Sequence, residues 1–398
     1  MTEPSPRVTG EEHIGRAAVP MDQLEGLGRL ALGPEDDGQR LVAVTFRPSS
    51  YETSTIATER LTHCQLEFAG GHVARIFVKE IRDITHWPML VMIPEHLRES
   101  FASGFPWRLE IDLYADGFGC PLPDGMRLPD VYAIRELEVG RAALWMEDVQ
   151  SSPYAAWTID RFARAAHLLG QLAARRRPPG IRPIGVGTGT PFGPNFALRM
   201  MYGGRIENSF RPAIEGEEMW HHPTVVAALD RTGDRAIIAD LRNLVSEGPA
   251  LLDETDALPM TYAHGDASPQ NLLVPVDDPD TFVVIDPGLN SQLPVGHDLG
   301  QLLVGLCHAG EMDPSGLDEV HRAILPAYID GLTAEGMDVD PADVQRGYLS
   351  GLLLRSGFTA MPLEQLNAPT SVEAIDLWSD RIRLTRAIID LYADGNAG

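Results

Sequence analysis

The sequence of 398 residues predicts an α+β fold with two lobes: a small N-terminal lobe built on an antiparallel β-sheet, and a larger, mostly α-helical C-terminal lobe. Apolar and β-branched runs typical of strands lie between residues 41 and 146, and helical periodicity dominates after residue 149. The length agrees with two lobes, because a single hydrophobic core stops growing at roughly 250–300 residues. The hydrophobic content of 44% is enough to build two sizeable cores.

The N-terminal lobe follows a polar lead-in, residues 1–38. Its glycine, proline and acidic residues predict a loosely ordered segment with one short helix near Met21–Leu32. The lobe itself is assigned to residues 39–148. Its predicted strands are Leu41–Phe46, Thr58–Phe68, His72–Ile81, Val131–Ile134 and Ala142–Met146. A Gly-Gly turn joins the second strand to the third, which indicates an antiparallel pair.

The C-terminal lobe, residues 149–398, has the apolar spacing of amphipathic helices. Helices are predicted at Ile159–Arg175, Asp318–Leu332, Asp343–Phe358 and Val372–Tyr392. One exception is a two-strand signal, Leu272–Val276 and Phe282–Ile285, around an Asp-Asp-Pro-Asp turn. This signal predicts a β-hairpin inside the helical lobe.

The charge balance argues against two classes of partner. The chain has 57 acidic and 32 basic residues, a formal net charge of −25. Such a field repels phosphate backbones and anionic lipid, so we expect no nucleic-acid partner and no membrane partner. The same field would attract a cationic substrate, although acidic surfaces also serve solubility.

The cysteines and the apolar runs indicate a cytoplasmic protein. Cys64, Cys120 and Cys307 are odd in number and lack C-x-x-C spacing, which argues against a disulfide framework and a zinc site. The first residues lack the basic and apolar regions of a signal peptide. No stretch approaches the ~18 apolar residues that span a bilayer. The oligomeric state stays open.

One short segment carries the strongest chemical signal. It reads H-G-D-x-x-x-x-N over residues 264–271, continues into the predicted hairpin and ends in Asp286. A hairpin brings its outer ends together, so Asn271 and Asp286 are expected side by side. Their amide and carboxylate oxygens suit Mg²⁺, which keeps sites for water and substrate phosphates. Asp266 is then placed to orient an acceptor hydroxyl and receive its proton during phosphoryl transfer.

These residues resemble the aminoglycoside phosphotransferase and choline kinase-like family, whose members share a protein-kinase-like fold. The match comprises H-G-D-x-x-x-x-N, an apolar strand ending in Asp, and P-x-x-x-D-L at residues 294–299. The resemblance implies that Asp266 is the catalytic aspartate. It also implies that Asn271 and Asp286 are the metal ligands.

The resemblance gives roles to two further residues of this segment. Asp298 is implied to be a buried carboxylate that braces the catalytic loop. His264 is implied to support the loop through hydrogen bonds, with direct proton transfer as the alternative role. A purely structural interpretation, in which the Asp and Asn residues only form turns and caps, requires their spacing to arise by chance.

Kinase chemistry also requires a lysine on the third strand, held by a helix glutamate, to contact the phosphates of the nucleotide. Lys79 lies in the predicted strand His72–Ile81 and is the only lysine in the first half of the chain. Glu110, in a helix predicted to begin near Pro106, matches the helix glutamate of the family. Glu99 and Glu95 are the alternative partners.

Two other segments of the N-terminal lobe are candidate nucleotide contacts. The turn after the first strand contains Ser49, Ser50 and Ser54, whose hydroxyl and backbone N–H groups suit phosphate oxygens, and a solvated polar turn is the alternative. The backbone of Glu147 and Val149 is predicted to form the hinge that binds the purine base. The order of residues does not distinguish ATP from GTP.

The leading hypothesis is a small-molecule kinase that uses Mg²⁺ and ATP or GTP to phosphorylate a hydroxyl group. Candidate acceptors are an aminoglycoside, an amino sugar or an amino alcohol, given the acidic balance of the chain. A nucleotide-binding pseudokinase without turnover is the alternative from another class. A third possibility is a metal-dependent phosphohydrolase with His264, Asp266 and Asp286 as ligands.

Overall fold

A computed structural model describes residues 5–36, 38–50, 56–93, 95–178 and 194–396. The chain divides into two compact units, Met1–Phe118 with Leu128–Gln150 and Gly119–Arg127 with Ser151–Gly398. The first unit is built on a β-sheet and the second is mostly helical, so the predicted α+β class is confirmed. The segment Gly119–Arg127 belongs to the helical unit, which the sequence pattern did not indicate.

The sheet of the first unit has the strand order β1-β2-β3-β4-β7-β6. Its neighbouring strands pair antiparallel, as predicted, except that β1 runs parallel to β2. The strands are β1 Arg7–Thr9, β2 Leu41–Pro48, β3 Thr58–Phe68, β4 Val73–Arg82, β6 Val131–Glu136 and β7 Arg141–Glu147. The helices of this unit are α1 Met21–Leu32, α2 Glu95–Gly104 and α3 Leu109–Asp116.

The N-terminal segment differs from the loosely ordered lead-in that the sequence predicted. Strand β1 adds to the sheet beside β2, and α1 has the predicted bounds. Leu24 and Leu27 of α1 are buried in the same apolar core as Leu66 and Phe68 of β3. A few apolar side chains on one face of α1 are enough to fix the segment against the sheet, although its average composition is polar.

The helices of the second unit include the predicted Ile159–Arg175, and three predicted C-terminal helices also form with shifted ends. The helices are α4 Ile159–Arg175, α5 Phe196–Met201, α6 Arg211–Glu215, α7 Glu218–His221, α8 Pro223–Thr232, α9 Ile237–Thr255, α10 Asp298–His308, α11 Leu317–Ala334, α12 Pro341–Leu352 and α13 Val372–Asn396. Among the described residues, none of the helices combines the length and the apolar content needed to cross a bilayer.

Two segments of the second unit are π-helices, Tyr202–Phe210 and Leu353–Gly357. The second one continues α12, so the helix predicted over Asp343–Phe358 widens in its last turn. The N–H of Phe358 donates to the carbonyl of Leu353 at 3.3 Å, the i to i+5 spacing of this geometry. Such widened turns are rare and often occur at functional sites.

The short strands of the second unit hold the segment with the chemical signal. They are β5 Met126–Arg127, β8 Met260–Ala263, β9 Leu272–Leu273, β10 Phe282–Val284 and β11 Ser291–Pro294. The predicted hairpin is present as the antiparallel pair of β9 and β10, with both strands shorter than expected. Strand β8 precedes this hairpin in the chain and β11 follows it, and the two strands pair antiparallel. The sequence pattern did not indicate either strand.

Helices α4 and α11 pack against each other with glycine at the contact. A Cβ atom at Gly170 would overlap the backbone carbonyl of Tyr328, and one at Gly331 would overlap the carbonyl of His167. The two backbones therefore approach so closely that only a hydrogen atom fits at either position. The contact fixes α11 against α4.

We predict that Gly331→Ala destabilises the protein by about 1–3 kcal/mol, because the added methyl group forces the two helices apart. Gly203→Ala is the control, since no atom lies within 4 Å of a Cβ atom at that position. Urea unfolding of both variants measures the difference. Equal stability of the two variants would contradict the close contact.

Candidate active site

The segment H-G-D begins where β8 ends, and a buried carboxylate holds its backbone. Asp298, the first residue of α10, is 4% exposed. Its two oxygens accept the N–H of His264 at 2.9 Å and the N–H of Gly265 at 2.8 Å. Two charge-assisted hydrogen bonds compensate the burial of the carboxylate and fix the direction in which the loop leaves the strand.

Gly265 is required by the path of this loop. Its φ of 84° lies in the left-handed region, and a Cβ atom here would overlap the backbone carbonyl of Leu289. Both the backbone conformation and the space exclude a side chain. The glycine therefore allows the loop to turn against the segment that follows β10.

His264 is fully buried, and both ring nitrogens contact the backbone. The N–H of Asp266 donates to Nδ1 at 3.1 Å, and Nε2 lies 2.9 Å from the carbonyl oxygen of Ile285. The imidazole is therefore neutral with its proton on Nε2. With both nitrogens engaged, the geometry favours support of the loop and does not favour the alternative of direct proton transfer by His264.

Asn271 lies next to both aspartates of the motif. Its Nδ2 donates to the carbonyl oxygen of Asp266 at 2.8 Å, which turns the amide oxygen, Oδ1, to the opposite side. Its own carbonyl accepts the N–H of Ile285 at 3.0 Å, so Asp286 is one residue beyond the end of the hairpin ladder. The three half-buried side chains of Asp266, Asn271 and Asp286 thus belong to one local cluster.

The backbone of Asp286 is unusual for a residue other than glycine. Its φ is 53°, in the left-handed region that Asp tolerates better than most residues. The following Pro287 disfavours the right-handed α conformation at this position. Non-glycine residues in such conformations are often found where a side chain must be presented to a ligand.

The donor set of this cluster fits magnesium. Asn271 contributes an amide oxygen and Asp286 a carboxylate, and Mg²⁺ is commonly held by one or two such groups together with substrate phosphates. Among the residues that the structure describes, no group of three or more His, Cys, Asp and Glu side chains could hold a metal ion. The dense ligand set of a metallohydrolase is therefore not found in the described part of the chain.

Arg355 is a site residue that the sequence analysis missed. It lies in the π-helix Leu353–Gly357, donates to the carbonyl of Gly265, and its Nη2 lies 2.7 Å from Oδ1 of Asp266. The Arg355 side chain is 11% exposed, and that of Asp266 is 28% exposed. This partly buried ion pair orients the carboxylate of Asp266. No local motif marks Arg355, because it approaches the loop from a distant helix.

In the first unit, Lys79 forms a buried ion pair. Its Nζ lies 2.6 Å from Oε2 of Glu110, and both side chains are 7% exposed. Lys79 is on β4, between Leu61 of β3 and Leu144 of β7, and Glu110 is in the first turn of α3. Lys79 is also the only lysine of the whole sequence, so every other basic side chain apart from the histidines is an arginine.

The other predicted nucleotide contacts are placed as follows. Ser49 and Ser50 follow β2, and the N–H of Ser49 donates to the carbonyl of Leu61. Ser54 lies outside the described residues. Glu147 ends β7, and its Oε2 accepts the N–H of Asp130 at 3.2 Å. Val149 follows two residues later.

A further contact lies beside this predicted hinge. Nδ1 of His63 is 2.8 Å from Oδ2 of Asp148. The hydrogen bond to Asp148 and its charge raise the pKa of His63 above the usual value, while burial of the ring acts in the opposite direction. The contact joins β3 to the end of β7 within the first unit.

We predict that Asp298→Asn destabilises the protein by about 1.5–3 kcal/mol, the range for hydrogen bonds to a charged group. The Asn side chain has only one acceptor oxygen. One of the two backbone N–H groups, of His264 or of Gly265, then faces its NH₂ group, which is a donor and cannot accept the hydrogen bond. Urea unfolding measures the loss.

Asp280→Asn is the matched control for this substitution. The Asp280 side chain is 93% exposed on the turn between β9 and β10, where a change should stay within about 0.5 kcal/mol. If Asp298→Asn is no more destabilised than this control, the carboxylate does not brace the loop.

A sheet unit with a buried lysine–glutamate pair and a helical unit with an Asp loop, an Asn and a hairpin ending in Asp are typical of the kinase-like fold. No family model and no curated protein matches the sequence. Among solved structures, a microcompartment-associated aminopropanol kinase is 17% identical, with 94% of this chain and 97% of that chain covered and a TM-score of 0.51. This similarity shows that the chain has the same fold.

Two other solved structures are similar at lower scores. A spectinomycin phosphotransferase, in complex with ADP and spectinomycin, is 13% identical over 93% of this chain and 98% of that chain, with a TM-score of 0.45. An ethanolamine kinase from Plasmodium vivax is 11% identical over 97% of this chain and 94% of that chain, also with a TM-score of 0.45. The assignment of the fold does not depend on these two.

Proposed function

We propose that this protein is a small-molecule kinase of the aminoglycoside phosphotransferase and choline kinase-like family. It transfers the γ-phosphoryl group of ATP or GTP to a hydroxyl group of a small acceptor. The observation that carries the proposal is the cluster of Asp266, Asn271 and Asp286, held together by the hydrogen bond of Asn271 to Asp266 and by the hairpin. The aminopropanol kinase of the same fold supports it.

In this proposal Asp266 accepts the proton of the acceptor hydroxyl. Arg355 holds Oδ1 of Asp266, and among the described residues no hydrogen bond is made to Oδ2. Oδ2 is then the atom that meets the hydroxyl. The ion pair to Arg355 keeps the carboxylate in one orientation, so the geometry of proton transfer is set before the substrate binds.

The remaining residues of the proposed site bind and position the nucleotide. Asn271 and Asp286 hold magnesium, which when bound neutralises charge on the phosphates. Lys79, oriented by Glu110, contacts the phosphates. Ser49 and Ser50 and the backbone of Glu147 and Val149 are the further nucleotide contacts in this proposal.

The acceptor is a small molecule and not a protein. Protein kinases use a long segment between the metal-binding aspartate and the next conserved aspartate as a platform for peptides. Here residues 287–297 form that connection, and four of these eleven residues, Ser291–Pro294, form the strand β11 paired with β8. This leaves no extended platform for a peptide substrate.

The phosphohydrolase alternative has less support. It requires His264 as a metal ligand, but both nitrogens of that ring contact the backbone. Only a measurement of activity distinguishes a pseudokinase from a kinase, since a pseudokinase would bind the nucleotide without turnover.

We predict that Asp266→Asn lowers phosphoryl transfer by about 100-fold or more and leaves nucleotide affinity nearly unchanged, because a general base contributes about 10²–10⁴-fold to rate. A panel of hydroxyl acceptors is incubated with magnesium and ATP or GTP, and mass spectrometry scores the gain of one phosphoryl group. Asp280→Asn, on its exposed turn, is the control.

Two results would contradict the proposed function. One is a wild-type protein that binds nucleotide and magnesium but modifies no acceptor and releases no nucleoside diphosphate. The other is full activity of Asp266→Asn.

The single lysine gives an independent test of the nucleotide site. An acyl-phosphate derivative of ATP, which acylates nearby amines, is expected to label Lys79, and excess ATP with magnesium should suppress the label. The amino terminus is the internal control, because its labelling should not respond to ATP. Lys79 that is unlabelled, or labelled equally with and without ATP, would exclude it from the phosphate site.

A further inference from the structure

A pocket of about 390 Å³ lies in the second unit beside the candidate catalytic loop. Its walls come from the two π-helices, from α10 and α13, and from the turn that follows the second π-helix. A volume of this size suits a sugar-sized ligand. Trp220 and Trp378, two tryptophans of the same unit, are almost fully buried and do not line it.

The pocket adjoins the proposed catalytic carboxylate. Arg355 is part of its wall and also binds Oδ1 of Asp266 at 2.7 Å. Leu289, another wall residue, lies with its backbone against Gly265. Asp266 is not itself a wall residue, but it contacts the wall residue Arg355, so the pocket is the candidate place for the acceptor.

The charge of the pocket is opposite to that of the chain. Its walls contain Arg205, Arg355 and Arg381 and a single carboxylate, Glu364, whereas the whole chain has 57 acidic and 32 basic residues. Arg355 is already paired with Asp266. Two arginines then face one glutamate, so the pocket keeps a net positive charge in a strongly acidic protein.

Arg205 is the arginine most available to a ligand. It lies in the π-helix Tyr202–Phe210 with its guanidinium 5.3 Å from the centre of the Phe210 ring. Within the described part of the chain it makes no ion pair shorter than 4 Å. Arg205 is an exposed residue, so a ligand can reach its guanidinium.

Arg381 is fixed in place by backbone groups. It donates to the carbonyl oxygens of Cys307 at 3.0 Å and His308 at 2.7 Å, at the C-terminal end of α10. These bonds hold the guanidinium without neutralising its charge. Beside it, burial and the nearby Arg381, Arg355 and Arg205 lower the pKa of His308 to about 4, so the histidine is neutral at pH 7.

From this arrangement we propose that the acceptor of the kinase carries an anionic group, a carboxylate or a phosphate, which Arg205 and Arg381 bind while the hydroxyl faces Asp266. This inference rests on the proposed function. The planar guanidinium matches both oxyanions, and binding one of them compensates the excess of arginine over carboxylate among the wall residues. The expectation of a cationic acceptor came from the average charge of the chain, which the pocket does not share.

The test compares acceptors that share a hydroxyl-bearing framework and differ chiefly in the charge of one group. One set is ethanolamine, ethylene glycol and glycolate, and a second is glucosamine, glucose, glucuronate and a glucose monophosphate. We expect the anionic members to have kcat/KM values at least about tenfold above their neutral and cationic counterparts, the range for one charge-assisted bond. Glucuronate and the glucose phosphate separate carboxylate from phosphate as the preferred anion. Equal or greater kcat/KM for the amines would overturn the inference.

Two variants of Arg205 connect the preference to the pocket. Arg205→Gln should reduce the preference for the anionic members about tenfold, mainly through KM, and Arg205→Glu should turn it towards the amines. Arg322→Gln is the matched control, because Arg322 is an exposed arginine on α11 that does not line the pocket. A purely structural role of Arg205 would lower activity equally for all acceptors, which would contradict the inference.

A binding measurement separates failure of the inference from failure of the proposed function. If no acceptor is phosphorylated, the proposed function fails. Calorimetric titration of the same sets into wild-type protein and Arg205→Gln then still decides the charge preference. Anions that bind no more tightly than neutral analogues, or equally to both proteins, would overturn it.

Discussion

The candidate active site depends on one carboxylate that accepts hydrogen bonds from two backbone N–H groups. Asp298 holds His264 and Gly265 at the point where β8 ends, and the loop direction follows from this. His264 then acts as a spacer between the loop and the end of β10, because its two nitrogens contact Asp266 and Ile285. A fully buried, neutral imidazole is suited to this role, since it offers one donor and one acceptor on opposite sides of a rigid ring.

The two units of the protein use different basic residues. The sequence contains one lysine, and it is buried against Glu110 in the sheet unit. Arginines surround the pocket of the helical unit, two of them from π-helices. A lysine is a compact point charge on a flexible stem, whereas arginine presents a planar fork that matches oxyanions. A widened helical turn displaces a side chain from the regular helical register, so it can point towards a pocket that an α-helix would not reach.

Regular periodicity made part of this fold predictable. Strand Thr58–Phe68 and helix Ile159–Arg175 have their predicted bounds, because each has a long run of apolar residues at one spacing. The hairpin was also predictable from its turn, although its strands are shorter than expected. Strands β8 and β11 gave no signal, since each has four residues of mixed polarity and depends on its partner for hydrogen bonds. The prediction that the N-terminal segment is loosely ordered was wrong, because its few buried side chains are outnumbered by polar neighbours.

The candidate site was predictable only where its residues are close in sequence. Asp266, Asn271, Asp286 and Asp298 lie within one stretch, and their spacing reflects the geometry of one loop and one hairpin. Arg355 and Arg205 come from distant helices, and no local pattern relates them to that stretch. The charge of the pocket was likewise hidden, because an average over the chain says nothing about a few side chains that converge in space.

The pairing of β11 with β8 has a consequence for control of the protein. Many kinases are switched by adding phosphate to a mobile stretch between the two aspartates that correspond in order to Asp286 and Asp298. In this chain Ser291–Pro294 of that stretch is committed to a β-ladder, and Ser291 is buried. Phosphorylation of Ser291 would therefore require this ladder to open first.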